Sequence, residues 1–250
     1  MLSKLRAVYE DFHKRATSLP PNLQTRLSTP LLLSPSQTWT NSKKRILIVG
    51  QETLGWDFDS GWYYQWDYPR LGTFQDFKGY PDAVSALIYG YQVFQFSKHQ
   101  PKNYRSPFWQ AYRQIRGVFE DTVDGYETSV IWSNLFRMSL DGGSVIKNAN
   151  SEELDKIRNE NRGLLKAEIG IIKPSAVVFF TGPNYESVLQ SEFPKFQITP
   201  FEKYDPTRTA LISHPDLPKF AFRTYHPNFL SFNDWSVIDK VTRELGTRLT

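Results

Sequence analysis

Three short segments carry side chains able to do chemistry: Gly50-Gln51-Glu52-Thr53-Leu54, Asn134-Leu135-Phe136-Arg137 and His226-Pro227-Asn228. Each follows an apolar run that reads as a strand. Glu52, with an acid such as Asp57, offers paired carboxylates for acid–base hydrolysis of an N-glycosidic bond in a free nucleoside or nucleotide. Asn134 brings an amide, which presents a donor and an acceptor together. The same residues have a plainer reading. Glycine opens the backbone and proline fixes φ, so G-x-E after a strand and His-Pro before a helix are also ordinary turn chemistry. Their joint appearance at successive strand ends favours chemistry.

Composition narrows the choices. With no cysteine in 250 residues, a disulfide scaffold, a thiolate nucleophile, a Cys-ligated zinc site and an iron–sulfur cluster are all excluded. Four histidines are too few for a His-rich metal site: His13 and His99 read as surface residues of helices, and His214 and His226 as loop histidines satisfied by backbone unless chemistry claims them. No metal or other cofactor is expected. Walker A, G-x-G-x-x-G, G-x-S-x-G and H-E-x-x-H patterns are missing. The net charge of +4 permits an anionic partner without demanding one. No apolar stretch approaches the roughly 18–20 residues of a membrane span. The first residues, with Lys4, Arg6, Glu10 and Asp11 among the apolar ones, lack a signal-peptide block. A soluble, cytoplasmic protein is expected, with no membrane partner.

The elements that must position these residues are legible as alternating patterns. Ile46–Val49 and Ala176–Phe180 are continuous apolar runs, each closed by a glycine, as befits strands buried on both faces. Ser129–Trp132 with Leu135-Phe136, and Phe220–Tyr225, supply two more; Thr209–Ser213 is a minor candidate. Helices are predicted over residues 3–19, 82–97 and 107–120. A long one opens at an Asn150/Glu153 capping box, carries Leu154, Ile157, Leu164, Leu165 and Ile169, and stops at Pro174. A last one is capped by Asn233 or Asp234. The alternation predicts an α/β fold: a single domain with a central, mostly parallel four-stranded sheet flanked by helices. Residues 1–42 are expected as an N-terminal helix and arm packed on the domain formed by residues 43–250. Ligands in such sheets sit outside the carboxyl ends of the strands, where the three segments converge. Gln51–Tyr80 is long for a connection, and its crowd of rings argues for function rather than disorder.

In this order the segments resemble the motifs of the uracil-DNA glycosylase superfamily. The first motif reads G-Q-D-P-Y-H in the best-known branch, and the last reads H-P-S-P-L-S, matched here at four of six positions by His226–Ser231. Leu164–Ile169 and Lys173-Pro174 through Gly182 look like the superfamily's helix–Pro–strand–Gly unit, and the resemblance covers roughly residues 45–245. It implies a uracil-DNA glycosylase-like domain and a role for each matching residue. His226 is the donor to the departing base, and Glu52, at the position of the family's Asp, is the acid that positions water and favours the sugar cation. Gln51 and Asn134 belong to the base pocket, Asn134 reading the base edge. Tyr63, Tyr64 and Trp66 are the candidates for its aromatic floor. Leu230 corresponds to the apolar wedge that fills the vacated stack. Asn228, Ser231 and Arg137 are expected to contact DNA, with Lys147 and Arg223 as further phosphate contacts. There are departures: Thr53 replaces the Pro of the first motif, Asn228 replaces a Ser, and Asp57, Asp59 and Asp67 crowd the insert. Glu in place of Asp adds a methylene, enough to shift a water by about an ångström.

The resemblance therefore implies a DNA glycosylase that extrudes uracil or a related altered base from double- or single-stranded DNA and hydrolyses its N-glycosidic bond, acting as a monomer. Two other functions remain open. One is a catalytically silent nucleic-acid-binding relative, whose affinity falls with salt while nothing is cleaved. The other is a small-molecule nucleoside or nucleotide hydrolase built on Glu52 and Asp57.

Overall fold

Short apolar runs closed by glycine or a polar turn become strands in the computed structural model, which describes residues 1–53, 71–96, 105–119 and 129–249. The strands are β1 (Ile46–Glu52), β2 (Val130–Phe136), β3 (Ala176–Phe180), β4 (Gln197–Pro200), β5 (Thr209–Ser213) and β6 (Phe220–Thr224). They form one sheet in the order β2-β1-β3-β6-β5-β4. β1, β3 and β6 are parallel, in register from Ile46↔Ala176↔Phe220 to Val49↔Phe179↔Arg223. Residues 46–49 and 176–180 are all 0% exposed, which explains why these runs show no polar alternation.

The α/β class is as expected, but the sheet has six strands rather than four. β5 runs antiparallel to β6, and β4 antiparallel to β5. β4 escapes sequence reading because all four of its residues are exposed and one is proline, as an edge strand tolerates.

Helices α1 (Leu2–Ala16), α2 (Pro21–Gln24), α3 (Gln37–Asn41), α4 (Phe74–Gly79), α5 (Ala83–Phe96) and α6 (Pro107–Phe119) precede β2. α7 (Val145–Asn148), α8 (Ser151–Asn161), α9 (Leu164–Ile172), α10 (Glu186–Glu192), α11 (Pro227–Asn233) and α12 (Ser236–Leu249) follow it. The single long helix expected from Asn150 is in fact α8 and α9. Gly163 separates them with φ +81°, a left-handed conformation that no helix continues through. The Asn150/Glu153 capping box does form, each side chain accepting the other's backbone N–H.

The chain divides into two compact units, each assembled from three stretches. The first comprises Met1–Ser34, Glu52–His99 and Ser133–Ile171. In it α1 buries Leu5, Tyr9, Phe12 and Ala16 and packs on α5 and α8, while α4 packs on α5. The second comprises Pro35–Gln51, Gln100–Trp132 and Ile172–Thr250. It contains β3 to β6 whole, with α6 packed on α11 and α12, and α12 on β6.

Candidate functional site

In the second unit, parallel strands in register bring their carboxyl ends to one edge. Gln51 closes its part of β1, Thr181 and Gly182 follow β3, and Tyr225-His226 follow β6. Gln51 Nε2 donates to the Thr181 carbonyl at 2.9 Å, and the Gly182 N–H donates to the Thr224 carbonyl at 2.9 Å. Gly182 has φ +64°, and a Cβ on it would lie 3.2 Å from the Tyr225 ring. Glycine here answers both needs, a left-handed backbone and a ring laid against it.

His226 is the N-cap of α11, and its Nδ1 accepts the Asn228 backbone N–H at 3.2 Å. Its ring stacks on Phe108 of α6, with centroids 5.8 Å apart and planes 15° from parallel. Phe108 in turn meets the edges or faces of Trp109, Trp132 and Phe180 at 5.2, 6.2 and 6.1 Å. Burial among these rings pushes the imidazole down from 6.5 to about 4, so it is neutral at pH 7. With Nδ1 accepting, the one proton of the neutral ring belongs on Nε2. His226 is thus a fixed, uncharged N–H donor, half-buried against Phe108, where a dipole counts for more than in bulk solvent.

The first unit holds Glu52 and Asn134. The Glu52 carboxylate faces the first turn of α7: it accepts from Ser144 Oγ at 3.1 Å, Val145 N at 2.7 Å and Ile146 N at 3.3 Å. A carboxylate at a helix N-terminus meets unpaired N–H groups and the positive end of the dipole. Glu52 therefore caps α7. Asn134, in β2, is 3% exposed, and its amide has no hydrogen-bond partner among the described residues.

Other expected contacts lie elsewhere. Arg137 is no phosphate ligand at the surface: it is 0% exposed and pairs with Glu168 through Nη2···Oε2 at 2.5 Å. Tyr9 OH donates to the other Glu168 oxygen at 2.8 Å, with the Leu33 carbonyl also within reach at 2.9 Å. Arg223 is likewise buried, donating to the Thr207 and Pro206 carbonyls at 2.6 and 2.7 Å. Leu230 faces the core at 3% exposure and cannot act as a protruding wedge in this arrangement. Asn228, Ser231 and Lys147 are exposed. His13 is not a surface residue but half-buried, its ring edge-on to Phe77 at 4.6 Å. His214 is held by backbone, its Nδ1 accepting the Asp216 N–H at 3.1 Å. Tyr63, Tyr64, Trp66, Asp57, Asp59, Asp67 and His99 lie outside the described residues.

Sequence reasoning missed Phe108, which follows no motif and belongs to a helix remote in sequence from His226. It also missed Phe229 and Phe232, 43% and 90% exposed. Their signal was present: residues three apart on a helix share a face, and with Leu230 turned inward that face must point outward. Among the described residues no group of three His, Asp or Glu side chains could hold a metal ion, and no helix is long and apolar enough to cross a membrane. No protein-family model and no curated protein matches the chain.

Proposed function

We propose that the protein is a DNA glycosylase of uracil-DNA glycosylase-like fold, a cytoplasmic monomer that needs no cofactor and removes uracil or a related altered base after extruding it from DNA. The observation that carries this reading is the state of His226: half-buried against Phe108, neutral, and with its single proton on Nε2. When the N-glycosidic bond breaks, its electron pair leaves with the base, whose oxygen gains negative charge while the sugar gains positive charge. Water adds to the sugar carbon, and its proton ends on the departing base or in solvent. His226 donates a hydrogen bond to the base oxygen and stays neutral throughout. The resemblance gives Glu52, the acid of the first motif, the role of favouring the sugar cation. Asn134 offers the base edge an amide that the protein leaves unpaired among the described residues. The order of the three motifs along the chain is the second support.

The test is a panel of oligonucleotides, each with one uracil or other altered base, assayed for abasic sites. The reading expects release of at least one base, and failure across the panel overturns it. One observation favours the silent binding relative: three hydrogen bonds tie Glu52 to α7 and occupy a carboxylate that would otherwise orient water. That reading expects salt-dependent binding and no abasic sites for any substrate.

A further inference from the structure

We infer that Phe108 is a positioning residue: its ring fixes the plane of the His226 imidazole, and with it the direction of the Nε2–H bond. The inference rests on the glycosylase reading above, whose donor it holds in place. The N-cap contact alone does not do this. Nδ1 accepts the Asn228 N–H at 3.2 Å, which settles the tautomer but restrains the ring at one atom only. The torsion that turns an imidazole about its Cβ–Cγ bond has broad wells, so one hydrogen bond of that length leaves Nε2 a wide arc. The Phe108 face, offset-stacked with centroids 5.8 Å apart and 15° from parallel, closes that arc.

Phe108 can serve as a reference surface because other rings hold it. It meets Trp109, Trp132 and Phe180 at 86°, 72° and 84°, all edge-to-face. Trp109 meets Trp132 and Tyr112 in the same way at 5.0 and 5.3 Å, and the Tyr112 hydroxyl donates to the Val130 carbonyl at 2.8 Å. Edge-to-face pairs prefer their angle, so this set of rings from α6, β2 and β3 resists tilting. Trp109, Trp132 and Phe180 are buried, whereas Phe108 is half-buried, the least covered of the four and the one that reaches the histidine. Among the described residues, charge has no part in holding the imidazole. α11 carries no Asp, Glu, Lys or Arg. Burial is the whole cause of the downward shift of His226, with nothing added by Arg105, Arg113 or Arg116 around α6 or by Arg223 of β6. Stacking and one cap bond remain.

The experiment pairs NMR titration of the His226 ring with single-turnover release of uracil from a labelled strand, for the full chain and three variants. Phe108→Leu keeps apolar bulk without a flat face, Phe108→Tyr keeps a flat ring, and Phe108→Ala uncovers the imidazole. Phe108→Leu is expected to slow release roughly ten- to a hundredfold with DNA affinity unchanged, as a donor misplaced by about an ångström does. Phe108→Tyr is expected to release at the wild-type rate. In Phe108→Ala the titration is expected to climb from about 4 toward 6.5, because water reaches the ring. A proton on Nδ1 then faces the Asn228 N–H, donor against donor, so release by this variant falls toward pH 5.5 while wild type stays level. A wild-type rate in Phe108→Leu overturns the inference, and so does an unmoved His226 titration in Phe108→Ala. An affinity loss equal to the rate loss, or a slow Phe108→Tyr, marks ordinary packing and overturns it as well. Should Phe108→Ala not fold, the leucine and tyrosine variants decide. Wild type that leaves no abasic sites sinks the glycosylase reading, and the titration, read without turnover, still decides whether Phe108 governs the imidazole.

Discussion

Histidine 226 gathers its properties from residues that touch it, and these have consequences in solution. In the unfolded chain it takes up a proton near 6.5, but in the folded protein only near 4. Between those values the unfolded state holds more protons. Folding stability therefore falls as the pH drops through that window, and this contribution is fully present above 6.5. The expected size between pH 7.5 and 4.5 is at most about 3 kcal/mol. His226→Phe, which fills similar space and never titrates, is expected to lose that part of the pH dependence in urea unfolding at the two pH values. An unchanged difference between them would contradict the burial assigned to the ring. Arg137 makes the complementary case. Arg137→Met leaves the Glu168 carboxylate buried without its cation and is expected to cost about 3–5 kcal/mol. Arg137→Met with Glu168→Leu leaves neither charge and is expected to cost less than the single change; urea midpoints decide it. Nothing local distinguished this arginine from a phosphate ligand, because what fixes its place is Glu168, 31 residues away, and Tyr9 beyond it. Leu230 was misplaced for a related reason: a motif names a residue type, but the phase of a seven-residue helix decides which side chain faces out.

At the scale of elements, the strands that carry the site were readable because burial on both faces leaves unbroken apolar runs. That rule located β3 and β6 to within a residue and β1 to within three. It fails for β4, which lies at the sheet edge and buries nothing. Periodicity likewise ran straight through Gly163, since the apolar residues on either side keep helical spacing while one left-handed glycine parts them. Gly182 is the element-scale counterpart with a functional neighbour. Gly182→Ala places a Cβ at positive φ and 3.2 Å from the Tyr225 ring. It is expected to destabilise by at least about 1 kcal/mol. Tyr225 must also shift against Phe229, and the melting temperature should fall. A variant as stable as wild type would show that the close approach is not a constraint.

At the scale of the whole molecule, the chain moves between its two units several times, and residues 1–34 share a unit with residues 52–99 and 133–171. No shift of composition along the sequence marks these crossings, because contacts and not chain order define the units. The net charge of +4 was legible at once, but it says only that an anionic partner is tolerated. Binding to DNA should accordingly weaken as salt is raised from about 50 to 200 mM. The central claim is that a neutral imidazole assists a departing base, and single-turnover release of uracil from a labelled single strand between pH 5.5 and 8 tests it most directly. The account predicts a wild-type rate with no inflection near 6.5, and a fall of roughly 10²- to 10³-fold in His226→Ala at every pH. Uracil release by His226→Ala at the wild-type rate, or a wild-type rate governed by a group titrating near 6.5 that disappears with His226, would contradict it.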